Sequence, residues 1–395
     1  MRQRRSRAAA GCAARGHASL AGMESPTVVP LRVGIVGAGI AGLALAGGLR
    51  RRGHVVELFE KAPRLLAVGA GISLAKGAVK ALDELGLGED VLGDAVERRT
   101  AVTALLLRPD GSAALRVPAK RLHLVPMTRA ALHAALAEHA GDVHLGVEAS
   151  VVASGAPVVV ADGERHEFDV VVAADGVRSP SREVLGLDTG LRYAGWTTWR
   201  GVTTDPFDLR GRMSETWGGG AMVGLVPLID GRAYWFAAQH APPGVTVADA
   251  RADVLGRFGH WHAPIRHVVE ATDAGGVVRT DAYDLTHPLR TYVHGRVVLV
   301  GDAAHAMTPN LGQGANQALV DAAALAEALD DAARGQGLAA ALAGYDRHRR
   351  RRSQRVAANS RLLGQVALAE GIGGRTRERV LGTLATLTGG ARRAR

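Results

Sequence analysis

Two glycine-rich stretches carry residues whose types and spacing suit anion and sugar recognition. Gly37-Ala38-Gly39-Ile40-Ala41-Gly42 follows an apolar run from Leu31 to Val36 and opens an Ala- and Leu-rich stretch reaching about Arg52. In a strand, turn and helix of this kind the first glycine makes the tight turn and the second lets backbone approach a pyrophosphate. The third lets helix pack closely on strand. The helix N-terminus then turns free N–H groups and its positive dipole end toward phosphates. Glu60, 23 residues beyond Gly37 and followed by Lys61, ends a second apolar run from His54 to Phe59, where its carboxylate can accept from ribose hydroxyls.

The second stretch, RVVLVGDAAHAMTPNLGQGANQALVDA, runs from Arg296 to Ala322. A buried-type strand meets Gly301 and Asp302, then Pro309, then Gly312-Gln313-Gly314, then a helical pattern. An acid at the C-terminal edge of a sheet is where α/β folds bind ligands. Asp302 suits hydroxyls of a sugar-like chain, and the segment Gly312, Gln313, Gly314, Ala315 and Asn316 presents backbone N–H groups at a helix start. That end stabilises negative charge such as the carbonyl edge of a reduced flavin. A nicotinamide dehydrogenase has no use for this second, distant site, whereas FAD is long enough to reach from Gly37 to Gly314.

These turns need a frame. The spacing predicts an α/β fold: a Rossmann-like FAD-binding domain with an inserted mixed β-sheet substrate domain and a C-terminal helical region. The expected divisions are 1–30, a basic extension read as disordered; 31–190, the first part of the FAD-binding domain; 191–290, the inserted sheet; 291–345, its second part; and 346–395, C-terminal helices with a basic tail. Helices are expected at Gly77 to Leu85 and at Thr128 to Ala140, with Thr128 as N-cap. Four of the five tryptophans, Trp196, Trp199, Trp217 and Trp235, fall between about Arg192 and Gln239, in the first half of the expected insert.

Charge is unevenly placed. Residues 1–23 carry +5 and residues 345–395 carry +10, so against a whole-chain charge of +10 the middle holds −5. A basic recognition face of the kind nucleic acids need is not visible in that acidic body. The run Asp346 to Arg355 reads as a solvated helix face. The single cysteine, Cys12, leaves no disulfide framework or cysteine nucleophile. The histidines show no metal spacing. The apolar runs are strand length, too short to cross a bilayer, and a cytoplasmic compartment is the default expectation. The acid-free N-terminus lacks the apolar core of a secretory signal.

With these motifs the chain resembles the FAD-dependent monooxygenases of the aromatic-hydroxylase type, over roughly Val33 to Ser360. The resemblance rests on GAGIAG with Glu60 and Lys61, on DVVVAADGVRSPSR around Asp175-Gly176, and on GDAAHAMTPNLGQGANQALVDA. Arg129 and Leu132 also match the family's Arg-x-x-Leu helix. The resemblance implies that Gly37, Gly39, Gly42, Glu60 and Arg129 hold the ADP half and its linkage, and that Asp302 binds the ribityl and pyrophosphate side. Pro309 and Gly312 to Asn316 would lie against the isoalloxazine ring. Asp175 and Gly176 would serve FAD and the reductant. Val320 stands where many relatives carry Glu, and Pro180 is a smaller departure.

The resemblance further implies that NADH or NADPH reduces FAD, that O2 adds to give a flavin hydroperoxide, and that its distal oxygen goes to a small aromatic or polycyclic substrate. No catalytic side chain is assigned, and His305 is expected to be structural or flavin-adjacent rather than a base. Arg200, Trp217, Met222 and Gly224 are the candidate substrate residues. The absence of Lys and Arg between Met213 and Asp230 favours a neutral or weakly polar substrate. A related FAD-dependent epoxidase, reductase or dehydrogenase, and a non-enzymatic flavoprotein, are the competing readings. The expected assembly is a monomer or homodimer.

Overall fold

A computed structural model describes residues 29–65, 69–97, 101, 103–118 and 122–387. The expectation for the basic extension lies outside these residues, apart from its last two, as does that for the last eight of the C-terminal tail.

Strands Arg32–Val36, Val55–Glu60, Val143–Leu145, Val170–Ala173 and Val297–Leu299 form a parallel sheet, with Val293–His294 added antiparallel at one edge. Val170 to Ala173 and Val297 to Leu299 are apolar at every position because both faces of this sheet are covered. Helix Ile40–Arg51 packs against helices Arg129–Ala140 and Gly314–Asp331. It stops at Gly53, whose φ of 85° takes the left-handed turn. Thr128 caps the helix Arg129–Ala140, its Oγ1 accepting from the Ala131 N–H at 3.1 Å.

The second sheet has seven strands in the order Val278–Leu285, Leu191–Val202, Ala233–His240, Ala221–Pro227, Arg212–Gly218, Thr103–Leu107, Ala113–Pro118. The pairing of Arg212–Gly218 with Thr103–Leu107 is parallel and the rest antiparallel, so the sheet is mixed. Two of its strands come from residues 103–118, which the sequence assigns to the flanking domain. Pairing across about a hundred residues of intervening chain leaves no local pattern to read. One face buries Trp199 and Trp235 against helices Ala250–Phe258 and Ala263–Glu270. The other face turns toward the first sheet.

The helix Leu338–Ala367 lies across both halves. Its basic run is not wholly a solvated face. Tyr345, Arg349 and Ser353 recur every four residues and are all buried, so the helical period drives one arginine inward while its neighbours stay in solvent. The helix Gly371–Leu387 follows. Among the described residues no helix is long and apolar enough to cross a membrane.

Candidate functional site

The three glycines of the first turn answer to different constraints. A Cβ on Gly37 or Gly42 would overlap the carbonyl oxygens of Ala174 and Gly37 respectively, so both are demanded by packing. A Cβ on Gly39 would meet nothing within 4 Å. Folding therefore does not require glycine there, which fits a position kept open for a ligand's approach. Ile40 and Ala41 begin the helix and are buried beneath this opening, and Ala38 holds the turn. The Ala38 N–H donates to Glu60 Oε2 at 2.8 Å, and its carbonyl lies 3.0 Å from His133 Nε2. Glu60 Oε1 accepts from the Ala62 N–H at 2.9 Å. Each carboxylate oxygen keeps a further lone pair for a hydroxyl, but the first duty of Glu60 is to shape the turn. Lys61 is exposed.

Arg129, at the start of its helix, is half-buried with no hydrogen bond or ion pair to its guanidinium among the described residues. Burial pushes its pKa down, and the nearby charge of Asp302 offsets part of that. A desolvated cation without a partner is stabilised by an anion brought to it. Asp175 Oδ2 accepts from the Ser181 N–H at 2.9 Å, while its Oδ1 is buried without a partner. Gly176 follows with φ 83°. Arg182 donates to the carbonyls of Ala303 and Val177, tying this loop to the turn at Asp302.

Gly301 sits where helices Ile40–Arg51 and Gly314–Asp331 converge: a Cβ there would come within 3.4 Å of Ala41 and Ala318. Asp302 is exposed, and its Oδ1 lies 3.7 Å from where a Cβ of Gly314 would be. Gln313 begins the helix without a side-chain cap, and the first turn holds no acid. The N–H groups at Gly314 and Ala315 are thus left for a ligand. The side chain of Asn316 is committed elsewhere. It accepts from the Ala75 N–H at 2.7 Å and donates to the carbonyls of Ser73 and Gly312, which locks the loop to strand Gly71–Ala75. Pro309 opens a short turn held from below, as Ser360 Oγ donates to the Thr308 carbonyl at 2.6 Å and accepts from the Leu311 N–H at 3.2 Å.

Beneath the turn lies a fully buried charge cluster. Asp321 accepts from the Gly301 N–H at 2.9 Å, from Arg349 Nε at 2.7 Å, and meets His305 Nε2 at 2.5 Å. Burial alone would raise the Asp321 carboxyl, but His305 and Arg349 outweigh it and hold it below the usual carboxylate value. His305 points into this cluster, as a structural residue does.

The cross-strand register puts Arg200 opposite Phe236, Phe236 opposite Gly224, and Gly224 opposite Glu215. In the next row Thr198 faces Ala238, Ala238 faces Met222, and Met222 faces Trp217. All four candidate substrate residues therefore share one face of the sheet. They do not share surroundings. Trp217 and Met222 are packed with Trp196 under Ala367 and Leu368 at the end of the long helix. Arg200 lies near Arg129, and Tyr234 near both. The Tyr234 ring covers Gly71, where a Cβ would overlap it, and Asn310 Nδ2 donates to Met222 Sδ at 3.8 Å. These contacts set the sheet face against the loops around Pro309 and Gly314. Tyr234, Phe236 and Glu215 carry no sequence motif, and only the strand register could have found them, whereas Asn310 lies within the glycine-rich motif, next to Pro309, and meets the sheet through Met222. Among the described residues no cluster of His, Cys, Asp and Glu could hold a metal.

The residues fit FAD. Two uncapped helix starts, an opening at Gly39 and the unpartnered Arg129 provide for its charged parts. A model of the FAD binding domain matches residues 30–360. Aurachin C monooxygenase/isomerase of Stigmatella aurantiaca is 39% identical over 356 residues, covering 85% of this chain and 89% of that protein. The 3-amino-4-hydroxybenzoate 2-monooxygenase of Streptomyces cremeus is 38% identical over 316 residues, covering 76% and 79%. The crystal structure of Klebsiella pneumoniae HpxO with FAD and uric acid superposes with a TM-score of 0.77 at 26% identity, covering 91% of this chain and 97% of that one. The motifs, the geometry and these likenesses agree, and the chain belongs to the FAD-binding-domain family of flavin-dependent monooxygenases that act on aromatic and heterocyclic substrates.

Proposed function

We propose that the protein uses NADH or NADPH and O2 to hydroxylate a small, neutral aromatic or heteroaromatic ring bearing oxygen and nitrogen. The observation that carries this reading is the apolar stretch of sheet, Phe236 over Gly224, set against the flavin loops by the Asn310–Met222 and Tyr234–Gly71 contacts. FAD, when bound, takes the reducing equivalents from NAD(P)H and activates O2. In balance, NAD(P)H gives a hydride and solvent a proton, one oxygen atom enters a ring C–H bond, and the other leaves as water.

The chain's own residues position and shield. N–H groups at Gly314 and Ala315 stabilise negative charge on the ring edge brought to them. Asp302 and Arg129 hold hydroxyls and phosphate, and Glu60 shapes the turn that receives the adenosine half. Phe236 and Gly224 give the substrate a flat apolar support that excludes water, and Arg200 offers a cation to a substrate oxygen. The related enzymes support the oxygen- and nitrogen-bearing frame, since 3-amino-4-hydroxybenzoate and uric acid each combine the two on an aromatic or heterocyclic ring, whereas the neutral charge rests on the absence of Lys and Arg between Met213 and Asp230.

The test is NAD(P)H consumption in air by the FAD-loaded protein, with and without a panel of phenols, aminophenols, purines and quinolones, counting peroxide alongside. A substrate accelerates consumption while peroxide falls short of it, and its product gains one oxygen atom. Acceleration with matching peroxide for every compound would overturn the hydroxylase reading in favour of a reductase.

A further inference from the structure

Glu215 is a polar residue on the flavin-facing sheet without an assigned part. Its Oε2 accepts the Trp217 indole N–H at 3.0 Å. Its Oε1 has no hydrogen-bond partner among the described residues and is not sealed from solvent. The side chain is only half-buried, yet burial pushes its carboxyl up from the ordinary value and the Trp217 bond offsets only part of this. A partly desolvated carboxyl with one oxygen bonded to no protein group keeps that oxygen free to accept from a ligand in place of water.

The register fixes where that oxygen stands. Arg200, Phe236, Gly224 and Glu215 form one row across four neighbouring strands. The backbones at its ends are therefore about 14 Å apart, three strand spacings. Both end residues stand on the same face, one on each side of the floor formed by Phe236 and Gly224. The missing side chain of Gly224 is what lets the Phe236 ring lie flat there. The row is thus bipolar, with a cation at one end, a carboxyl at the other, and an apolar support between.

We propose that Glu215 is a substrate-recognition residue whose Oε1 accepts a hydrogen bond from an N–H on the edge of the aromatic ring, while Arg200 holds an oxygen on the opposite edge. This rests on the hydroxylase reading above. It selects rings with donor and acceptor on opposed edges, and it disfavours a ring that would turn a carboxylate toward Glu215.

Glu215→Gln separates this role from that of a mere prop for Trp217. The amide oxygen still accepts the indole N–H, but the group replacing Oε1 is an NH2, which donates and cannot accept. The probes are 4(1H)-quinolone and its N-methyl derivative, with dissociation constants read from perturbation of the flavin spectrum of the FAD-loaded protein. The wild-type protein should bind the N–H compound about tenfold to a hundredfold more tightly than the N-methyl compound. That ratio should collapse to about one in Glu215→Gln, with FAD content and melting temperature at wild-type values. Glu215→Leu should abolish the preference too, with some loss of stability from the orphaned indole.

An unchanged ratio in Glu215→Gln would show that the carboxyl only supports Trp217. Equal binding of both probes by the wild-type protein would overturn the inference and leave the hydroxylase reading intact. Failure of the wild-type protein to bind or respond to either probe, while another class of compound is hydroxylated, would overturn the inference together with the ring class it assumes.

Discussion

The cofactor side and the sheet face solve opposite problems. Around Gly37 and Gly301 the side chains that brace the turns are bonded within the chain: Glu60 to two amides, Asn316 to three backbone groups, and Asp321 to an amide, a histidine and an arginine, while Arg129, Asp302 and one oxygen of Asp175 stay open toward the site. On the sheet face the guanidinium of Arg200 and Oε1 of Glu215 are left without partners among the described residues. A site that holds one unchanging cofactor can be braced from behind by its own side chains and offer mainly backbone. A site that must admit, turn and release a substrate keeps side chains uncommitted. The two regions should therefore break in different ways when altered.

The largest effect is expected at Asp321→Asn. The change leaves Arg349 buried without its counter-charge, and breaking a buried pair in this way is worth about 3–5 kcal/mol. Denaturant unfolding should show that loss, together with release of FAD as Gly301 is freed. The acid limb carries the sign. The folded Asp321 carboxyl lies below its ordinary value of 3.8, so its contribution is complete above the unfolded value and disappears as pH falls through the folded one. The Asn variant should have a shallower acid limb below about pH 4. Equal stability of the two proteins would show that the cluster is not what braces the turn.

Next come the glycines, where one comparison separates folding from binding. Gly42→Ala drives a Cβ into the Gly37 carbonyl and should lose soluble protein as well as FAD. Gly39→Ala meets no protein atom, so it should fold with a near-normal melting temperature and still bind FAD about tenfold to a hundredfold more weakly, roughly 1.4–2.7 kcal/mol. Equilibrium dialysis of FAD beside thermal melts reads both. If Gly39→Ala held FAD as well as wild type, the opening at Gly39 would not be a pyrophosphate approach.

How much of this was legible follows from the same contrast. Backbone-made sites leave residue types at short spacings, which is why Gly37, Gly42, Asp302, Gly312 and the Thr128 cap could be read along the chain. The arginine that closes the buried cluster could not: Arg349 is one of several in a basic run, and only the helical phase set by Tyr345 and Ser353 separates it from its solvated neighbours. The proposed substrate row was hidden for another reason. Arg200, Phe236, Gly224 and Glu215 meet through antiparallel register, and a slip of one residue would send all of them to the opposite face. The strand Thr103–Leu107, which borders Glu215, comes from far earlier in the chain. Arg200 could be singled out as a candidate because it is a charge within a strand pattern, whereas Glu215 sat beside tryptophan and glycines that read as core.

Arg129→Met should fall between the two regions, because this arginine is proposed to serve the cofactor yet stands beside Arg200 and Tyr234. Losing a charge-assisted contact to phosphate should weaken FAD binding by about 1.5–3 kcal/mol. The wild-type protein should lose FAD affinity with added salt more steeply than the variant does. Identical salt slopes would place the guanidinium away from the phosphates and reassign it to the substrate side.

The smallest effect is expected at Met222→Leu. Met222 was a candidate for the substrate wall, but its side chain packs beneath Ala367 and Leu368 with Trp196 and Trp217. A volume-conserving exchange of this kind alters stability by less than about 1.5 kcal/mol, and the lost Asn310 contact to sulfur is weak. Substrate KM should therefore change little, and melting temperature only slightly. Arg200→Met, in the neighbouring row beside Arg129 and Tyr234, should raise KM about tenfold or more by removing the cation offered to the substrate oxygen. Steady-state kinetics on the pair sharpen the comparison within a single face. If Met222→Leu raised KM as much as Arg200→Met, the pocket would extend under the C-terminal helix, and that helix would have to move for substrate to enter.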